Sequence, residues 1–248
     1  MPSREYILRM TDPRTSAGDP APGPGQVLPR TSTSWAIASL SLGVVALTYW
    51  LALLPGAQDA QADFMKWVNN PPEPLNTILA VTNSLLRPVP LTVIAVLLLG
   101  WIMATVRGTA RWEALRATAL ALLLSELITQ VLKRVADQPR PTASIPGLDV
   151  HGYPKDPNGN AYPSAHTSVA VGLVTALWPW LNGPQRAVAV AVATLVAMNR
   201  LYIGAHWPVD VVGGAAIGLL AGSVCWLVAA RWPVTRPVRR PPGERTRP

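Results

Sequence analysis

Six long apolar runs leave this chain few ways to fold: 35–54, 88–106, 113–132, 167–181, 186–203 and 209–230. An α-helix needs about 20 apolar residues to cross roughly 30 Å of hydrocarbon. Inside lipid, every backbone N–H and C=O must also find a partner within the protein. The fold class that follows is all-α, a six-transmembrane-helix bundle. The fourth run is the shortest and ends in Trp178, Pro179 and Trp180, indoles suited to the headgroup level.

The flanks differ from the middle. Residues 1–34 are rich in Pro, Gly, Ser and Thr without apolar periodicity, and are expected to be a disordered tail. Residues 231–248, RWPVTRPVRRPPGERTRP, form a basic, Pro-rich tail, leaving 35–230 as the membrane domain. The first run starts too late and is too long for a secretory signal, and reads as an uncleaved anchor. Between the first two runs, 56–87 shows helical spacing in DFMKWV and in Leu75, Ile78, Leu79, Leu85 and Leu86. Short amphipathic helices on the outer surface are expected there, packing on the bundle or guiding a lipid.

Six spans put both termini on one side. If that side is the cytoplasm, it holds Arg4, Arg9, Arg14, Arg30, Arg107, Arg111, Arg116, Arg186 and the arginines of the tail. The other side holds Lys66, Arg87, Lys133, Arg134, Arg140, Lys155 and Arg200. This bias fits the positive-inside rule, with cytoplasmic termini in a cell membrane, the bacterial inner membrane. It also accounts for the net charge of +8. The basic residues form no patch with interleaved aromatics, so nucleic acid is not an expected partner. Cys225 is the only cysteine, which excludes an intramolecular disulfide. His151, His166 and His206 are the histidines, and no metal-ligand spacing appears.

Three span ends on the outer side carry polar residues that a plain loop does not need. The third run leaves into KRVADQPRP, from Lys133 to Pro141. PSAH, from Pro163 to His166, leads into the fourth. The fifth ends at Asn199 and Arg200, and LYIGA connects it to HWPVD, from His206 to Asp210. Singly, each has a plain structural role: a cation snorkels to the headgroups, and a serine caps a helix. Together they gather charge at membrane depth, where each charge costs about 2.5–3.5 kcal/mol on insertion scales. A cluster at that cost points to function.

Phosphoryl transfer suits these residues. A departing phosphoryl group spreads charge over its oxygens, and positioned cations stabilise it. Lys133, Arg140 and Arg200 can do this, the arginines through paired hydrogen bonds. Ser164 is expected to cap the fourth helix, leaving the N–H groups of Ala165, His166 and Thr167 as an anion site. Pro208 starts a helix, and Asp210 in its first turn can reach back to one nitrogen of His206. That pairing leaves the other nitrogen free to attack phosphorus, with His166 protonating the leaving oxygen.

At these residues the chain resembles the type 2 phosphatidic acid phosphatases, membrane relatives of the vanadium haloperoxidases. The family signature is K-x6-R-P, P-S-G-H and S-R-x5-H-x3-D. Here the parts stand in order as KRVADQPRP, PSAH and NRLYIGAHWPVD, with matching spacing. The resemblance covers roughly 35–230 and implies a phosphatase/haloperoxidase-like core. It implies His206 as a nucleophile forming a phosphohistidine, Asp210 supporting it and His166 as general acid. It also implies Lys133, Arg140, Ser164 and Arg200 as phosphate ligands, and no metal or other cofactor. Two positions depart: Ala165 replaces the motif glycine, and Asn199 replaces the motif serine. Every ionisable position is kept, so a change of substrate shape or rate is expected, not loss of activity. Glu126, two turns before Lys133, is an intramembrane acid expected to pair with a motif cation or a neighbouring helix.

The expected partner is a lipid phosphate in the bilayer: phosphatidate, phosphatidylglycerophosphate or a polyprenyl (di)phosphate. A phosphotransferase on the same fold, or a noncatalytic lipid-phosphate transporter or binding protein, are the alternatives. The latter two have no use for the His206–Asp210 pair.

Overall fold

Ser34, Ala38, Ser41, Val45, Thr48 and Ala52 recur every three or four residues along the first apolar run, and this small, partly polar stripe faces inward. Leu40, Leu42, Leu47 and Trp50 face out and are exposed. The 108–136 helix repeats the pattern, with Ala114, Ala117, Ala121, Ser125 and Thr129 inside and Leu122, Leu123, Leu127 and Val131 outside. That is the inverse of a soluble helix. It fits lipid, where small residues let helices approach and large apolar ones meet the tails. The chain is a multi-pass membrane protein.

The computed structural model describes residues 28–86, 88–149 and 159–232. Its helices are α1 (Thr31–Leu53), α2 (Asp59–Asn69), α3 (Leu75–Leu85), α4 (Pro88–Thr105) and α5 (Gly108–Ala136). There follow a single turn α6 (Pro141–Ser144), α7 (Ala165–Leu177), a 3-10 turn (Trp178–Trp180), α8 (Gly183–Tyr202) and α9 (Pro208–Arg231). No strand occurs among the described residues. Each of the six runs is helical, and α1 begins earlier than expected, taking residues 31–34 out of the expected tail. The rest of that tail up to residue 27, the tail from 233 onward, and His151 lie outside the described residues.

Among the described residues, three stretches are long and apolar enough to cross a membrane alone: Thr31–Leu53, Gly108–Ser144 and Pro208–Arg231. α7 has 13 residues, about 20 Å at 1.5 Å per residue, which is short of a bilayer core. α8 is long enough but interrupts its apolar run with Arg186, Asn199 and Arg200. The linker between α1 and α4 holds two short helices, as expected. Met65, Val68 and Leu79 are buried, but Phe64, Trp67, Ile78, Val81 and Leu85 interrupt the expected polar outer face.

α9 is the central element, packed against α7, α1 and α5. Gly214, Gly218 and Gly222, four residues apart, turn one face to α7. A Cβ at Gly214 would meet the Ser164 carbonyl oxygen at 2.5 Å, and one at Gly218 the Ser168 carbonyl oxygen at 2.6 Å. One at Gly222 would meet the Thr175 side chain. The glycines therefore set the spacing of the two helices. At the other end of the bundle, Asn182 and Gln185 form a reciprocal capping box at 3.0 and 2.9 Å that starts α8. There the Arg186 guanidinium lies over the Trp178 ring, 4.9 Å from its centre.

Candidate active site

The end of α5, the start of α7 and the α8–α9 connection meet at one end of the bundle. Direct hydrogen bonds join the third motif to each of the other two, and the loop just before PSAH to the first. Lys133 Nζ donates to the Asn160 carbonyl at 2.7 Å, and Asn160 Nδ2 returns a bond to the Lys133 carbonyl at 2.8 Å. The Ala161 N–H donates to the Gln138 carbonyl at 2.7 Å. The Ser164 N–H donates to the Asp210 carbonyl at 3.1 Å. The Trp207 indole donates to the Pro139 carbonyl at 2.9 Å. These backbone groups thus help to fix one segment of the site against another.

His206 follows Gly204, whose φ of +68° is the left-handed turn that ends the α8 connection. Its side chain is buried and faces Asp210, with Nδ1 3.6 Å from Oδ2. That is longer than a hydrogen bond. Oδ2 instead accepts the Trp207 N–H at 2.7 Å, fixing the first turn of α9. Nδ1 of His206 and Oδ1 of Asp210 have no hydrogen-bond partner among the described residues. Burial first, and then the charges of Lys133, Arg140, Arg200 and His166, hold the His206 pKa well below its ordinary value. The imidazole is therefore neutral at neutral pH, with a lone pair to offer.

Ser164 stands at the N-cap of α7, but its hydroxyl does not cap the helix, contrary to expectation. Instead Thr167, one turn on, donates its hydroxyl to Ser164 Oγ at 3.0 Å. The local hydroxyl pair wins because both groups are buried and need partners. The N–H groups at the start of α7, from Ala165, His166 and Thr167, thus receive no side-chain cap, which suits an anion. Arg140 lies against Gly159, where a Cβ would be 2.8 Å from Nη2. Arg200 is buried, with Nη2 bonded to Asn199 Oδ1 and to Asn83 Oδ1 at 3.4 Å. Among the described residues, no group of three His, Cys, Asp or Glu side chains is placed to hold a metal.

Glu126 does not join the cluster. It is exposed on α5 and accepts a bond from Gln130, one turn on in its own helix, at 2.6 Å. Among the described residues neither a motif cation nor a neighbouring helix is its hydrogen-bond partner, because its position on α5 faces away from the bundle; its charge still reaches Lys133.

Sequence reasoning missed four supports. Asn160 and Gly159 hold Lys133 and Arg140. Tyr162 bonds Thr48 at 3.0 Å and the Val45 carbonyl at 3.1 Å, tying the motif loop to α1. Burial pushes its phenol up to about 12, so it remains a donor. Asn69 bonds the Tyr202 carbonyl at 2.7 Å and the Asp149 carbonyl at 2.9 Å, fastening α2 to the end of α8. The crowding of Gly, Asn and Tyr just before PSAH was the available signal; for Asn69 there was none.

Comparison with known proteins finds relatives in sequence and in fold. YbjG of Escherichia coli (strain K12), provisionally named an undecaprenyl-diphosphatase, is 26% identical over 149 residues, 59% of this chain and 70% of that protein. The undecaprenyl-diphosphatase of Sulfolobus acidocaldarius is 32% identical over 106 residues, 40% of this chain. That match spans about half of the relative, 47% of its length. The crystal structure of the transmembrane PAP2-type phosphatidylglycerolphosphate phosphatase from Bacillus subtilis shares the fold. Its TM-score is 0.60 at 19% identity, covering 82% of this chain and 98% of that one. Residues 114–233, which hold all three motifs, match the PAP2 superfamily, and this segment belongs to that family.

Proposed function

We propose that this chain hydrolyses the phosphate or diphosphate headgroup of a membrane lipid through a phosphohistidine at His206. The observation that carries the reading is a buried, neutral His206 facing Asp210 at 3.6 Å, within the field of three cations and a second histidine drawn from all three motifs. Nε2 of His206 attacks phosphorus and the bond to the lipid oxygen breaks, while His166, which takes up a proton as the anionic headgroup binds and offsets the cations, gives that oxygen its proton. Lys133, Arg140, Arg200 and the first-turn N–H groups of α7 hold the phosphoryl oxygens, with Ser164 and Ala165 shaping that turn. Asp210 steadies the Nδ1 proton. Water then attacks phosphorus and gives a proton to His166, the P–N bond breaks, and inorganic phosphate leaves. The cations supply the charge stabilisation that a metal supplies elsewhere, so the reaction needs no metal.

In this reading the chain crosses the inner membrane six times, with cytoplasmic termini and the site near the outer face. The lipid tail stays in the bilayer while the headgroup enters between helices. A polyprenyl diphosphate is preferred over phosphatidate and phosphatidylglycerophosphate. The names of two relatives support that preference. The test is phosphate release by purified protein in detergent, with excess chelator, from undecaprenyl diphosphate, phosphatidate and phosphatidylglycerophosphate. Undecaprenyl diphosphate should be fastest, and His206→Ala should lose at least about a thousandfold, as removal of a nucleophile does. Equal release by His206→Ala overturns the mechanism. Release that the chelator abolishes overturns its metal independence.

A further inference from the structure

Asn199 is the position where this chain departs from the family's serine, and both ends of its amide are bonded. Nδ2 donates to the Leu79 carbonyl of α3 at 2.8 Å, and Oδ1 accepts from Arg200 Nη2. The same Nη2 reaches Oδ1 of Asn83, one turn along α3, at 3.4 Å. Asn199, Arg200 and Asn83 are 0%, 2% and 5% exposed. Arg200 Nε has no hydrogen-bond partner among the described residues. A serine hydroxyl ends one atom nearer the backbone and would not span both contacts. Both oxygens that hold the guanidinium belong to neutral amides. A carboxylate in either place would accept the same bond and also offset the positive charge. An amide fixes the orientation and leaves the charge for an incoming anion, which is what preorganised electrostatics requires.

We propose that Asn83 and Asn199 are positioning residues for Arg200, which makes α3, outside the 114–233 family segment, a working part of the phosphate site. The inference rests on Arg200 being a phosphate ligand. Its test measures orthovanadate affinity of the full chain in detergent, with the melting midpoint as a check of folding. Arg200→Ala and Asn83→Asp should each weaken vanadate at least about tenfold, a change of about 1.4 kcal/mol. Asn83→Ala, which loosens Arg200 without neutralising it, should weaken vanadate less than Asn83→Asp. Unchanged affinity in Asn83→Asp, with loss in Arg200→Ala, overturns the positioning inference alone. No vanadate binding by the wild type, or full affinity in Arg200→Ala, overturns the reading of Arg200 itself. If Asn83→Asp does not melt cooperatively, Asn199→Ser serves in its place. It should still melt cooperatively, at a lower midpoint, and lose affinity; full affinity there overturns the inference.

Discussion

Replacing Gly218 by alanine asks whether α7 and α9 are held at glycine distance. The new Cβ would sit 2.6 Å from the Ser168 carbonyl oxygen, 2.7 Å from the Gly172 nitrogen and 2.8 Å from Val171 Cβ. Ordinary contact starts at 3.4 Å, so the helices must part by about 0.8 Å (3.4 − 2.6). Two of those three atoms are backbone and cannot rotate away. Overpacking of this kind costs about 1–3 kcal/mol. The same separation moves His166, at the start of α7, away from His206, just before α9. A displacement near 1 Å can cost about a hundredfold in rate. Gly218→Ala should therefore melt at a lower temperature in detergent and release phosphate about 10- to 100-fold more slowly. Gly214→Ala, 2.5 Å from the Ser164 carbonyl oxygen, should lose more activity. Gly222→Ala, farthest from the site, should lose stability chiefly. The control is Gly43→Ala, whose Cβ meets nothing within 4 Å and whose helix gains from alanine. A Gly218→Ala protein that melts and turns over like Gly43→Ala refutes the idea that glycine spacing sets the histidine pair.

Glu126→Gln should leave phosphate release within about twofold of wild type, since surface changes away from partners are small; a large loss in the same release assay would return Glu126 to the site. His206, with its pKa depressed in the folded state, binds fewer protons folded than unfolded once pH falls below the ordinary value of 6.5. Its contribution to stability is thus intact above 6.5 and lost as pH falls below it, by about 1.4 kcal/mol per pH unit. Melting of wild type and His206→Ala from pH 7.5 to 5 should show wild type losing stability faster, and parallel curves would contradict a buried neutral imidazole.

The three motifs were legible because ionisable residues at fixed spacing, at the ends of apolar runs, have few other uses. That the six apolar runs are helical was legible from their length, whereas the α7 helix proper stops at 13 residues and continues into a 3-10 turn, and three stretches are long and apolar enough to span among the described residues. Ser164 was misread because the rule for caps weighs the residue's own turn, and here a buried Thr167 hydroxyl competed for the same oxygen. Glu126 and Lys133 share a helix side and their charges interact, but the hydrogen bond of Glu126 goes to Gln130 in its own helix, because the long Lys133 side chain reaches inward to the Asn160 carbonyl. The Asn199–Leu79 bond joins residues 120 positions apart through a backbone carbonyl, and no residue type announces a carbonyl. The serine-to-asparagine change marked the place without revealing its partner.

The bonds between motifs also have an order in time. Lys133 and Asn160 can meet once α5 and the following loop are in place. The Ser164–Asp210 and Pro139–Trp207 bonds must wait for the last helix, and so must the nucleophile. Membrane insertion runs from the N-terminus, so on the proposed mechanism a nascent chain that has not yet made α9 has its cations and proton donor but lacks a fixed nucleophile. The proposed site is then completed only when α9 joins the bundle, and a lipid phosphate met before that meets an incomplete site.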